Sequence, residues 1–185
     1  MVIIVTGAIG IGKTTVCRKL IKTVRSQGYT CGGVLTCEVA DKGIIIEDIQ
    51  TGVKETLAAI KNIYHGPRTP RYYFNPEGID FGIQAIDKGA STEILVVDEL
   101  GHLELRGEGF AKVLGLIGAG RVRECILVIR TELLPAFLPR LPATPSVFEV
   151  TMNNRSQLPQ EISSVLLEEL PSGRGQEEQD KNAGP

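Results

Sequence analysis

Histidine is scarce: the 185 residues contain only two, His65 and His102. The four cysteines, Cys17, Cys31, Cys37 and Cys125, show no CxxC spacing and sit within apolar segments, where reduced cysteine behaves as a small hydrophobe. A metal centre built from His and Cys therefore has few possible members; buried free thiols are expected, and any metal should be oxygen-ligated. No block of Lys and Arg stands out and the formal net charge is −2, so a general electrostatic hold on nucleic acid is not indicated. No apolar run approaches the length of a membrane span. The chain opens directly on a strand-like run at Val2, without a basic segment and a signal-type stretch, and a cytoplasmic protein is expected. No internal repeat is visible.

What is present is ordinary for a globular domain: 42% of residues are hydrophobic and 23% charged. The length suits one domain with a sizeable core. Residues 2–6 form a β-branched run, and Val16, Leu20, Ile21 and Val24 then recur at helical spacing over residues 13–27. Segments 32–39 and 43–50, parted by Asp41-Lys42-Gly43, read as an antiparallel hairpin. Residues 62–79, rich in Pro and Gly around Tyr72-Tyr73-Phe74, read as a loop with one short strand. A helix over 80–90 precedes the continuous apolar run Ile94-Leu95-Val96-Val97, which has the character of a central parallel strand. Helices near 108–118, 132–140 and 157–170 then alternate with strands at 125–129 and 146–151. The alternation predicts an α/β fold of three layers on a mostly parallel central sheet, with the hairpin added. Residues 1–170 are expected to form the domain and 171–185 a disordered tail with almost nothing to bury.

The chemistry begins in the first loop. Gly7-Ala8-Ile9-Gly10-Ile11-Gly12-Lys13-Thr14 satisfies G-x-x-x-x-G-K-[ST], after an apolar strand and before a periodic helix. Its glycines let backbone N–H groups converge on an anion, and the helix N-terminus adds partial positive charge. Lys13 can reach the β- and γ-phosphates of a nucleoside triphosphate, and Thr14 can place its hydroxyl on Mg²⁺. The pattern predicts a nucleotide site, with ATP or GTP as substrate and Mg²⁺ as cofactor.

A second element, Val96-Val97-Asp98-Glu99, carries an acidic pair out of a buried strand. Ligands of open α/β sheets bind at the carboxyl ends of strands, so this pair should converge with the phosphate loop. Asp98 can hold Mg²⁺, and Glu99, lying beyond it, can orient or deprotonate an attacking water. Arg130 follows another strand and is a candidate for contact with the γ-phosphate, with a solvated strand-end arginine as the alternative. Arg140 lies in the proline-rich 135–145 segment, where a mobile lid would be expected. Glu38, Glu47 and Asp48 decorate the hairpin, either as a solvated face or as an acidic lining for a ribose or a metal-bound water.

With these residues placed, the chain resembles the thermophilic-type, or cancer-related, nucleoside-triphosphatase family of P-loop proteins, from about residue 2 to 166. The resemblance rests on the phosphate loop with Thr14-Thr15, on Gly32 to Val39, on Val97 to Leu105, and on Val150-Thr151-Met152-Asn153-Asn154-Arg155. It implies slow Mg²⁺-dependent hydrolysis of ATP, GTP and other nucleoside triphosphates. It also implies Thr15 among the nucleotide contacts, Asp98 and Glu99 as metal and water residues, and Asn154 and Arg155 for contact with base or ribose. The family usually carries Lys where His102 stands here and Arg where Ala40 stands, and its basic lid is reduced to Arg140. A monomer with nucleotide as its partner is expected. Transfer of the γ-phosphate to a small acceptor, or a slow nucleotide-dependent switch, are the alternatives.

Overall fold

Apolar runs that must be covered on both faces organise the chain into three layers. The structure, a computed structural model, describes residues 1–142 and 144–170; the tail 171–185, expected to be disordered, lies outside the described residues. The elements in order are β1 (Val2–Thr6), α1 (Lys13–Ser26), β2 (Cys31–Val39), β3 (Gly43–Asp48), β4 (Lys54–Ala59) and β5 (Tyr73–Phe74). There follow α2 (Pro76–Gly89), β6 (Ile94–Leu100), α3 (His102–Leu105), α4 (Lys112–Gly118), β7 (Glu124–Ile129), α5 (Leu134–Phe137), β8 (Ser146–Glu149) and α6 (Leu158–Glu169).

All eight strands join one sheet in the order β5-β4-β3-β2-β6-β7-β1-β8. From β2 to β8 neighbouring strands are parallel, and β3, β4 and β5 extend the β2 side antiparallel. The expected parallel sheet with a hairpin is therefore present, and the hairpin is the start of a longer antiparallel wing.

Successive side chains of a strand point to opposite faces, and each central strand divides its apolar residues accordingly. Ile4, Leu95, Val97 and Leu127 belong to one core with α2 and α4, whereas Ile3, Val5, Val96 and Val128 belong to the other with α1 and α6. A continuous apolar run is thus the signature of a strand buried twice. Helix α1 buries Val16, Cys17, Leu20, Ile21 and Val24 in the second core, and truncating fully buried Leu20 to Ala would cost about 2–5 kcal/mol.

Two glycines allow α2 to lie unusually close to β2. A Cβ on Gly89 would stand 2.4 Å from the Gly33 nitrogen, and a Cβ on Gly32 would stand 2.5 Å from the Gly89 Cα.

Strand β4 was not legible in the sequence, because Lys-Glu-Thr-Leu-Ala-Ala has little β-branched character and buries only its last three residues. Helix α2 begins at Pro76, four residues before the expected start at Asp80, because Asn75 caps it: the Asn75 side chain accepts from the Glu77 N–H at 3.2 Å. Cys37 is exposed, against the expectation that all four thiols are buried. It lies past the point where β2 leaves the core, and its neighbours Glu38 and Val39 are likewise not buried. No helix among the described residues is long and apolar enough to cross a membrane.

Candidate phosphate site

The sheet register brings the chemistry together. Val5 of β1 and Asp98 of β6 both pair with Val128 of β7, so the phosphate-loop strand and the acidic strand end at one level with a single strand between them. Two strand spacings make that gap about 10 Å. It is bridged at the start of α1, where the Thr14 side chain is hydrogen-bonded to Asp98.

The loop itself is built for an anion. Gly10 and Gly12 have φ of 74° and 111°, and Gly7 lies so close to β8 that a Cβ would stand 2.9 Å from the Val150 carbonyl oxygen. Helix α1 has no side-chain N-cap and no acidic residue in its first turn. Its first N–H groups and the positive end of its dipole are therefore available to a bound group. Lys13 is buried, and its Nζ donates to the carbonyl oxygens of Gly7 and Ala8, each at 2.8 Å. Burial lowers its pKa, while the nearby Glu99 carboxylate opposes that shift.

Asp98 is 1% exposed and accepts from the Thr36 N–H at 3.3 Å. Burial pushes its pKa up to about 7, against the pull of the Thr14 hydrogen bond. A buried carboxylate next to a hydroxyl is an oxygen donor pair that suits a hard cation such as Mg²⁺, which holds few protein ligands and keeps several waters. Among the described residues no group of three or more His, Cys, Asp and Glu could hold a metal.

Strand β6 continues past Asp98 to Leu100, and the ladder with β7 slips between Asp98 and Leu100, leaving Glu99 without a partner in the register. Its carboxylate Oε1 accepts from the Nε of Arg130, the residue that leaves β7. Arg130 is therefore partnered and partly buried, which sets aside the reading of a merely solvated strand end.

A cavity of about 510 Å³ opens over the loop, lined by Gly10, Gly12, Lys13, Thr14 and Thr15 together with Glu99 and Arg130. Ile9 also lines it, whereas Gly7, Ala8 and Ile11 do not. Arg18, Lys19 and Lys22 of α1 extend its rim. Sequence reasoning missed these three, although their i, i+1 and i+4 spacing on the polar face of a helix that starts at a phosphate loop was visible.

Other candidates have structural partners. Glu47 pairs with Arg18 at 3.1 Å and Lys54 at 3.5 Å, and Asp48 closes the next turn by accepting from the Gln50 N–H at 2.9 Å and the Thr51 hydroxyl at 2.8 Å. Asn154 is engaged at both ends of its amide: Nδ2 donates to the Glu149 carbonyl and Oδ1 accepts from the Thr151 N–H, both at 2.8 Å. Neither Asn154 nor Arg155 lines the loop cavity. Arg140 donates to the Leu105 carbonyl oxygen at 2.9 Å, and fully buried Phe137 pins α5 where a mobile lid was expected.

A glycine loop at the head of α1, a buried lysine and an acidic strand end at one edge of a parallel sheet define a phosphate-binding α/β protein of the P-loop class. A family model described as NTPase matches residues 2–163. The nucleoside-triphosphatase THEP1 of Methanopyrus kandleri is 29% identical over 175 residues, covering 91% of this chain and 96% of that protein. In fold, the chain is similar to the crystal structure of THEP1 from the hyperthermophile Aquifex aeolicus, with a TM-score of 0.69, 23% identity, and 90% and 99% of the two chains covered. It is similar as well to the solution structure of a human cancer-related nucleoside triphosphatase, with a TM-score of 0.71, 20% identity, and 91% and 98% covered. The chain belongs to the NTPase family and is by class a nucleoside-triphosphatase.

Proposed function

We propose that this chain hydrolyses nucleoside 5′-triphosphates, ATP and GTP among them, to diphosphate and phosphate with Mg²⁺ as cofactor, Glu99 activating the water. The observation that carries this reading is the position of Glu99: it lines the same phosphate cavity as Lys13 and is held by Arg130.

The loop N–H groups and Lys13 hold the β- and γ-phosphates, with Lys13 leaving the Gly7 and Ala8 carbonyls to do so. Thr14 and Asp98 are the residues that would hold Mg²⁺, which when bound neutralises phosphate charge. Glu99 accepts a proton from water as its oxygen attacks the γ-phosphorus, and the bond to the bridging oxygen breaks with its electrons left on the diphosphate. Lys13 and the loop N–H groups share the charge that develops there. Arg130 orients Glu99 and presents its remaining N–H groups to the γ-phosphate. Thr15 at the cavity wall, and Arg155 on the exposed turn after β8, are assigned to the nucleotide's outer parts; Asn154 shapes that turn.

The test is phosphate release from a panel of triphosphates, with and without Mg²⁺, by wild type and Glu99→Gln. Loss of turnover by about 10²–10⁴-fold with nucleotide affinity retained is expected. Turnover equal to wild type would overturn the role of Glu99.

A further inference from the structure

A second cavity, of about 270 Å³, adjoins the first, sharing Glu99, Arg130 and the loop residue Ile9 with it. Its inner wall is apolar: Leu57 of β4, Phe74 of β5, Leu103 of α3, Phe110 and Leu133. We propose that this cavity is an acceptor site, in which a neutral, ring-bearing alcohol takes the γ-phosphoryl group in place of water. The proposal rests on the reading of Glu99 as the base.

Volume is the first argument. An attacking water needs about 30 Å³, whereas this space is several times larger and falls just below the range of about 300–1,000 Å³ typical of small-molecule sites. Hydrolysis has no use for an apolar recess of that size beside its base. Continuity is the second. Thr36, Glu38, Tyr72, Glu99 and Arg130 border both cavities, so a molecule seated among Leu57, Phe74 and Phe110 meets the γ-phosphate at Glu99.

Charge selects the kind of molecule. Of the cations in the lining, Arg71 is paired with Glu38 at 2.5 Å and Arg130 with Glu99. The third candidate, His102, is an exposed residue of the rim. The Glu104 carboxylate is held by the N–H groups of Gly101 at 2.7 Å and Phe110 at 2.9 Å. Both arginines among the described lining residues are thus paired, and the remaining donors of Arg130 are assigned to the γ-phosphate, so the site suits an uncharged acceptor. Tyr72, Phe74 and Phe110 line the cavity, and aromatic side chains pack well against a planar body. A hydroxyl carried at the Glu99 end completes the match, and unphosphorylated nucleosides fall in this class.

In the step, the acceptor oxygen bonds to the γ-phosphorus and its proton passes to the Glu99 carboxylate. The bond from the γ-phosphorus to the bridging oxygen breaks, its electrons staying with the nucleoside diphosphate. The products are a phosphate monoester and the diphosphate, with no redox change.

The experiment uses the full chain, γ-labelled ATP and Mg²⁺, with the four ribonucleosides, pyridoxine and benzyl alcohol as probes, and AMP and GMP as phosphorylated controls. Probe binding in the presence of ADP and Mg²⁺ is followed by saturation-transfer NMR. At least one neutral probe is expected to bind beside ADP and to acquire label, raising ATP consumption about tenfold over water alone. Phe74→Trp, which fills the cavity, is expected to lower the ratio of labelled probe to released phosphate at least about tenfold. That ratio does not depend on the fraction of variant that folds. Label reaching water alone, label reaching AMP or GMP in preference to neutral probes, or a ratio unmoved by Phe74→Trp would each overturn the proposal. Its failure is distinct from failure of the hydrolase reading: the first leaves probe-free hydrolysis sensitive to Glu99→Gln, and the second does not.

Discussion

Arg130 and Glu99 meet where the two cavities join, the guanidinium Nε donating to the carboxylate Oε1. Each comes from the end of a different strand, Glu99 at a slip in the β6–β7 ladder and Arg130 one residue past β7. The guanidinium fork can hold the carboxylate on one side and present its remaining donors on another. The Glu99 carboxylate is therefore held in place without any bound substrate.

That pairing makes Arg130 a sensitive position. Arg130→Ala is expected to lower kcat for triphosphate hydrolysis about a hundredfold, with a smaller change in KM. Arg130→Lys should recover little, since a single ammonium cannot hold Glu99 and a phosphate oxygen at once. Steady-state phosphate release reads both values.

Lys13 holds the Gly7 and Ala8 carbonyls of the loop and, in the proposed scheme, turns to the phosphates when nucleotide binds. Lys13→Ala is expected to abolish measurable turnover and to weaken triphosphate binding in titration calorimetry. The Gly7 and Ala8 carbonyls lose their donor, so the nucleotide-free variant should also be less stable by about 1–3 kcal/mol in urea.

Asp98 makes the metal-free protein sensitive to pH. Its folded pKa, about 7, stands above the ordinary 3.8, so the native state binds this proton more tightly than the unfolded chain does. The contribution is fully present below about pH 4 and is lost as pH rises through 7, at up to about 1.4 kcal/mol per pH unit. In EDTA, wild type is expected to lose stability relative to Asp98→Asn between pH 5 and pH 8. Equal pH profiles of the two proteins in thermal unfolding would contradict this.

Glu104 is a structural carboxylate under the second cavity. Glu104→Ala leaves the N–H groups of Gly101 and Phe110 without their acceptor and should cost about 3 kcal/mol. Glu104→Gln keeps one acceptor oxygen and should cost about half as much. Urea unfolding distinguishes the two.

The legible parts were those written in local spacing. The phosphate loop, the helical period of α1 and the apolar runs of β1, β6 and β7 each lie within a few consecutive turns or residues, and the structure places them as read. The hairpin followed from its turn residues. Strand β4 was not readable, because it forms by pairing with β3 rather than from its own propensity. The α1 cations Arg18, Lys19 and Lys22 were visible as charges, but only the fold shows that they border a cavity.

The sequence by itself determined that a phosphate cradle exists and which strand carries the acidic pair, since both depend on residue type at short spacing. Tertiary structure alone decided the partners: Asp98 with Thr14 and Thr36, Glu99 with Arg130, and Asn154 with the backbone of its own turn. It alone decided that Leu57, Phe74, Leu103 and Leu133, spread over 77 residues, line one space with Glu99. The physical reason is that hydrogen-bond geometry and cavity walls arise where distant segments close on one another. Strand order and register, which no local spacing encodes, decide which segments do so.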